Sequence, residues 1–353
     1  FWGLLHPLLL AGLFSITGSV DILIPRLLSL VSGSLVILML FYLARRYFNL
    51  QVALAAAIFA SLSPVGLLGD VSGMQEPIGM LMFFAGLWLW PKRASAAGAL
   101  FAAAGTLRAE YWVFGAGLVA VALLIEDSGS RKWGVLLGWL IPTLAYARYL
   151  TIHTGNPVYP IYWNFVGNAV GEWIVRTPFN STQILVMWVF RSLLPVFAVA
   201  AWLVIHKRSK YALFYLLGLG NILFLCLVLG FSAYMRSFIL RVLVDRTFQL
   251  PYMYLGLFLS VAIFHWMPRL RRTRLLIVGS WFVCFALVAL YQLAWAPIFE
   301  YHNPWSPFWK GQFAAASDIA KFYEGGTVSI PEDRPDFTYL LVRYHGLEAR
   351  SIE

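Results

Sequence analysis

The feature that most narrows what this chain can fold into is a rhythm: apolar segments alternate with short basic clusters that fall at every second junction. Arg45-Arg46, Lys92-Arg93, Arg131-Lys132, Lys207-Arg208-Lys210 and the run Arg269, Arg271, Arg272, Arg274 hold half of the 26 lysines and arginines. Short loops rich in these residues stay on the cytoplasmic side of a membrane. With all five clusters inside, the alternate turns face outward, and those turns carry Asp70, Glu76 and Glu110. The pattern predicts an all-α, multi-pass membrane protein with cationic anchors on one face and carboxylates on the other.

Composition points the same way. Only 12% of residues are charged and 61% are hydrophobic, against about 25% charged in a soluble domain. The net charge of +10 is absorbed by loop anchoring, and no aromatic-interleaved basic face of the kind single-strand binding needs is present. Nucleic acid is therefore not an expected partner. Cys226 and Cys284 both fall inside apolar stretches, so no disulfide framework is implied. No Cys/His spacing suits a metal. The chain begins at Phe1 without an initiator Met or signal-peptide pattern and is read as a piece of a longer protein.

A crossing helix needs about 20 residues. The stretch from Trp2 to Ile16 is short for that and, with His6-Pro7 near its start, is read as an interfacial or re-entrant helix. Crossings are expected near residues 23–44, 50–68, 76–90, 133–150, 181–205, 211–233, 248–267 and 275–296. Residues 95–125 as one helix would run about 46 Å, too long for a hydrocarbon layer of about 30 Å. A hairpin of two short helices turning at Leu107-Arg108-Ala109-Glu110 fits both the length and the charge rule, bringing the total to ten crossings. Residues 1–297 form the membrane domain. Residues 298–353 differ in character: an amphipathic helix over Ala314–Tyr323, a Gly325-Gly326 break, a strand at Thr327–Ile330, a helix over Phe337–Tyr344 and a last strand at Glu348–Ile352 predict a small outer α/β piece.

Ionised groups at membrane depth cost several kcal/mol unless paired or hydrated, so each one asks for a reason. Asp70 and Glu76 flank one outer turn; they form either a carboxylate pair facing a ligand or a hydrated loop in which Glu76 starts a helix ahead of Pro77. Arg108 and Glu110 share a tight turn and either satisfy each other or line a water-filled cavity. Arg191 lies inside an apolar span with no acid within two turns. Arg236, Arg241 and Arg246, with Asp245, make a basic outer stretch suited to a phosphate, which guanidinium binds through paired N–H donors.

Several stretches resemble the GT-C superfamily of multi-spanning glycosyltransferases, of the mannosyltransferase and aminoarabinose-transferase kind. His6-Pro7-Leu8 with Ile24-Pro25-Arg26-Leu27-Leu28-Ser29 is similar to the segment after the family's first outer loop, and Tyr42 to Phe48 to the end of the next span. Ser61-Leu62-Ser63-Pro64 through Gln75-Glu76-Pro77 resembles an outer turn with a carboxylate. Gly105-Thr106-Leu107-Arg108-Ala109-Glu110 resembles the family's charged turn, with Ala109 in place of the usual Pro, and Thr154-Gly155-Asn156-Pro157 a later turn. Together these cover about residues 1–165 in family order.

The resemblance implies transfer of a sugar from a polyprenyl-phosphate carrier on the extracytoplasmic face. It implies a catalytic Asp in a loop that would precede Phe1, with Glu76 and Asp70 as the carboxylates within this sequence. His6, Arg108, Glu110, Arg191, Arg241 and Arg246 become the substrate-binding candidates, the last three for phosphate. Some members use a divalent cation, and nothing in the sequence decides that point or the acceptor. Two other readings stay open: a non-catalytic scaffold subunit of a larger membrane complex, and a transporter of lipid-linked material using Arg191 and Asn221. The first half of the sequence is not repeated in the second, which speaks against an inverted-repeat transport fold.

Overall fold

The computed structural model describes residues 3–71, 73–126, 128–162, 249–261, 263–264, 274–295, 307–330 and 340–348. The chain divides into two compact units, Phe1–Ala296 and Pro297–Glu353. Among the described residues both are helical and neither contains a β-ladder.

The first unit opens with helix α1 (Leu5–Thr17), which ends on Gly18 in the left-handed region (φ 64°). Helix α2 (Leu23–Tyr47) is 25 residues long and carries Arg45 and Arg46 in its last turn, where cations complement the carbonyl end of a helix. Helix α3 (Leu50–Ser61) starts at Asn49, whose side-chain oxygen accepts from Val52 N at 2.9 Å. The sequence predicts one crossing over 50–68, but the structure breaks it at Leu62-Ser63 and resumes as α4 (Pro64–Val71). Pro64 disfavours helical geometry in the residue before it yet suits the first position of a helix, so the chain restarts there.

Helix α5 (Glu76–Leu89) follows the 73–75 turn. The hairpin expected in 95–125 is present as α6 (Ala94–Gly105) and α7 (Ala109–Ile125), turning at Thr106–Arg108. Helix α8 (Gly129–Thr154) ends on Gly155 at φ 73° and leads to the short α9 (Tyr159–Tyr162). Two later helices are α10 (Gln249–Val261) and α11 (Arg274–Trp295). Among the described residues, α2 and α8 are long and apolar enough to cross a membrane. The expected crossings at 181–205 and 211–233 lie outside the described residues.

Packing in this unit reverses the usual sorting. On α2 the buried face contains Ser29, Ser32 and Gly33, while Leu23, Leu27, Val31, Leu35 and Leu38 are exposed at 40–59%. The same leucine-out stripe runs along α8 through Leu137, Ile141 and Leu144, and along α11 through Leu276, Val283, Leu287 and Leu290. Exposed apolar surface on this scale marks a face that meets a membrane or another protein. Inside, small residues bring backbones together. A Cβ on Gly98 of α6 would strike the Val135 carbonyl of α8, and one on Gly138 would strike the Ser95 carbonyl. Close approach through small residues is how helices associate where the solvent is as apolar as leucine. The large core side chains Phe83, Phe84, Phe101 and Phe114 fill the space between α5, α6 and α7.

The second unit contains α12 (Pro307–Phe322) and a π-helical turn at Leu340–Tyr344, with Ala316, Leu340, Leu341 and Leu347 buried together. The strand predicted at Thr327–Ile330 is reduced to a single bridge position at Val328. A strand needs a partner for its backbone groups, and among the described residues no second segment offers one. Most of the strand predicted at Glu348–Ile352 lies outside the described residues.

Candidate functional site

The outward-facing turns predicted from charge sorting are brought together by the helix starts. Glu76 stands in the first turn of α5 and Glu110 in the first turn of α7, where the positive ends of the helices favour carboxylates. Arg108 precedes α7 in extended geometry (φ −145°, ψ 148°), which directs its side chain back between the two acids. Its Nε donates to Glu110 Oε1 and its Nη1 to Glu76 Oε1. All three side chains are buried, at 3% exposure for Arg108 and Glu76 and 8% for Glu110. One guanidinium between two carboxylates leaves the cluster one negative charge in excess.

Neighbouring residues fix this cluster in place. The Tyr111 hydroxyl donates to the Glu76 carbonyl at 3.3 Å. Its ring lies so close to α5 that a Cβ on Gly79 would collide with it. From the other side, Gly3 (φ 119°) lies on the Thr106 and Leu107 carbonyls, and Leu5 N donates to Thr106 O at 3.5 Å. This strap delivers half-buried His6 to the neighbourhood of Glu76. Burial lowers the imidazole pKa and the Glu76 charge opposes that shift. Among the described residues His6 Nε2 has no hydrogen-bond partner.

Asp70 is placed differently. It is 7% exposed on α4, and its carboxylate fills the space that a Cβ on Gly33 of α2 would need. No described residue bonds to its Oδ1, and burial raises the carboxyl pKa to about 7. The Ser29 hydroxyl donates to Met74 O at 2.6 Å and reaches Gly69 O at 3.3 Å, which ties α2 to the turn that carries Asp70. Among the described residues no ion pair joins Asp70 to the Glu76–Arg108–Glu110 cluster.

The structure therefore unites four of the residues singled out from sequence, namely His6, Glu76, Arg108 and Glu110, and sets Asp70 apart. Arg191, Arg241 and Arg246 lie outside the described residues, as does Asn221. Sequence reading missed Tyr111, Gly79, Gly33 and Ser29. Only Tyr111, next to Glu110, carried a signal. For a divalent cation the donor set does not fit: among the described residues no three His, Cys, Asp or Glu side chains cluster, and Oε1 of each of Glu76 and Glu110 already serves Arg108. A cation of this type takes six or more oxygen ligands. No family model, curated protein or solved structure matches the chain.

Proposed function

We propose that this chain is a multi-pass membrane protein that moves a sugar from a polyprenyl-phosphate carrier to an acceptor on the outer face of the bilayer, as its resemblance to the GT-C superfamily implies. The observation that carries this reading is convergence. Three separate stretches that resemble family segments, at His6-Pro7 after the first outer loop and at the outer turns Gln75-Glu76-Pro77 and Leu107 to Glu110, meet at one end of the helical unit. The exposed leucines and buried serines of α2, and the exposed apolar stripe of α8, support lipid as the surrounding solvent.

In such a transfer an acceptor hydroxyl or amide attacks the anomeric carbon of the sugar. The carbon–oxygen bond to phosphate breaks with inversion, its electron pair leaves with polyprenyl phosphate, and the acceptor proton passes to a carboxylate. A well-placed base of this kind contributes typically 10²–10⁴-fold, and cations stabilise charge on the departing phosphate. Here Glu76 is the carboxylate proposed to serve the acceptor, with Asp70 as the second candidate. His6, beside Glu76, offers the acceptor an imidazole. Arg108 holds Glu76 and Glu110 together at this end of the helical unit, and Arg191, Arg241 and Arg246 are assigned to the phosphate.

Incubating the purified full-length protein with radiolabelled polyprenyl-phosphate sugars tests the reading through carrier-dependent loss of lipid-linked label. Glu76→Gln and Arg241→Ala should each reduce transfer while leaving membrane insertion intact. Unchanged transfer in both variants removes the site assignment. One observation favours a second reading, a non-catalytic scaffold: Arg108 is consumed by two carboxylates of its own chain, as expected of a structural clasp. Absence of turnover with every donor, together with stable co-purification of other membrane proteins, would favour it.

A further inference from the structure

The opposite end of the helical unit gathers six cations at one depth. Side-chain contacts set that depth. Arg46 of α2 lies over Trp88 of α5, 5.3 Å from the ring centroid, and over Tyr47 at 5.7 Å. Trp90 Nε1 donates to Glu126 Oε2 at 3.2 Å, and Glu126 pairs with Arg131 at 3.2 Å. Gly134 of α8 packs against Ala94 and Ser95 of α6, which sets Lys92-Arg93 beside Arg131-Lys132. Arg45, Arg46, Lys92 and Arg93 are exposed. Among the described residues the only ion pair at this end is Arg131–Glu126, and the sequence supplies one further acid there, Asp127. Neither α6 nor α8 has a side-chain N-cap or an acid in its first turn, so both present uncapped N–H donors to the same face.

We infer that this rim is a binding surface for anionic phospholipid headgroups of the inner leaflet. Four exposed cations, two helix starts and the rings of Trp88, Tyr42 and Tyr47 match what such a headgroup layer presents: phosphate charge at the surface, and an interface in which Trp and Tyr rings sit half-buried. Trp88 and Tyr42, 6.3 Å apart edge to face, lie on the same lipid-side flank as the exposed leucines of α2. The inference rests on the membrane part of the proposed function and is independent of sugar transfer.

The test uses the full chain reconstituted in phosphatidylcholine vesicles, with energy transfer from its tryptophans to dansyl-labelled phosphatidylglycerol read as lipid is added. A preference for phosphatidylglycerol over labelled phosphatidylcholine is expected. Each cation near an anionic surface contributes roughly fivefold in affinity, so Arg45→Gln/Lys92→Gln/Arg93→Gln should lose on the order of a hundredfold. The charge-retaining Arg45→Lys/Arg93→Lys should keep the preference. Arg26→Gln/Arg148→Gln, which removes exposed cations elsewhere, should leave it unchanged. Incorporation without any preference, or equal loss in the Arg26/Arg148 variant, overturns the inference alone. Failure to incorporate into phosphatidylcholine vesicles at all overturns it together with the membrane reading.

Discussion

Replacing Arg108 gives the most direct test of how the Glu76–Arg108–Glu110 end is held together. Arg108→Gln leaves Glu76 and Glu110 buried at 3% and 8% exposure with the cation between them gone. Removing one partner from a buried ion pair costs about 3–5 kcal/mol, because the remaining charge keeps its desolvation penalty without compensation. Here two like charges are stranded, so the upper half of that range applies. The acids should behave differently. The triad has one negative charge in excess, so Glu110→Gln removes the excess while Arg108 keeps Glu76. The amide oxygen introduced by Glu110→Gln can still accept from Arg108, so the loss is that of the charge on the acceptor, about 1 kcal/mol. The expected order of damage is Arg108→Gln well above Glu110→Gln, with the triple variant Glu76→Gln/Arg108→Met/Glu110→Gln closer to the native protein than Arg108→Gln alone. Reversible unfolding in mixed micelles, followed by tryptophan fluorescence, measures all three. A triple variant as unstable as Arg108→Gln would refute the argument, since the cost would then come from packing and not from stranded charge.

Other outcomes follow from the same geometry. Gly79→Val should destabilise by about 1–3 kcal/mol through collision with the Tyr111 ring, and Tyr111→Ala should relieve much of that cost in a double-mutant comparison. Asp70 keeps its proton up to about pH 7 in the folded protein but releases it near pH 4 when unfolded. Stability should therefore fall as pH rises from about 4 to about 7 and level off above that, and Asp70→Asn should flatten the slope in a pH-dependent unfolding series. Cysteines at Lys92 and Asn156, probed in sealed vesicles with an impermeant thiol reagent, should label from opposite sides. Labelling from one side would break the charge-sorted topology.

Much of the helix order was legible because length and charge are local properties. Residues 95–125 are too long for one helix across a bilayer, and the charge rule then places the turn at Arg108 and Glu110. The split of 50–68 was less visible, since the run stays apolar through Ser63-Pro64 and only the restriction that Pro64 places on its neighbour hints at the break. The site was legible in part. Arg108 and Glu110 are two residues apart and their pairing could be weighed directly. Glu76 is 32 residues from Arg108, and apolar periodicity does not say which helices become neighbours when nearly every face is apolar. That pairing depends on Gly79 admitting the Tyr111 ring, a contact visible only once α5 and α7 are packed. Gly33 was silent for the same reason: its role is to leave room for Asp70.

The two charged clusters also differ in what surrounds them. Helices α5 and α7 hold them roughly 20–25 Å apart at 1.5 Å per residue. The ions of the Arg108 cluster are sealed from solvent, whereas the cations at the other end stand largely in it. Screening acts on exposed charges over about 10 Å at 0.1 M salt and far less on buried ones. Ionic strength thus acts as a dial on one end of the molecule only. Raising it should loosen whatever the basic rim holds while leaving the Arg108 clasp intact, so the two ends can be studied separately in the same preparation, without a single substitution.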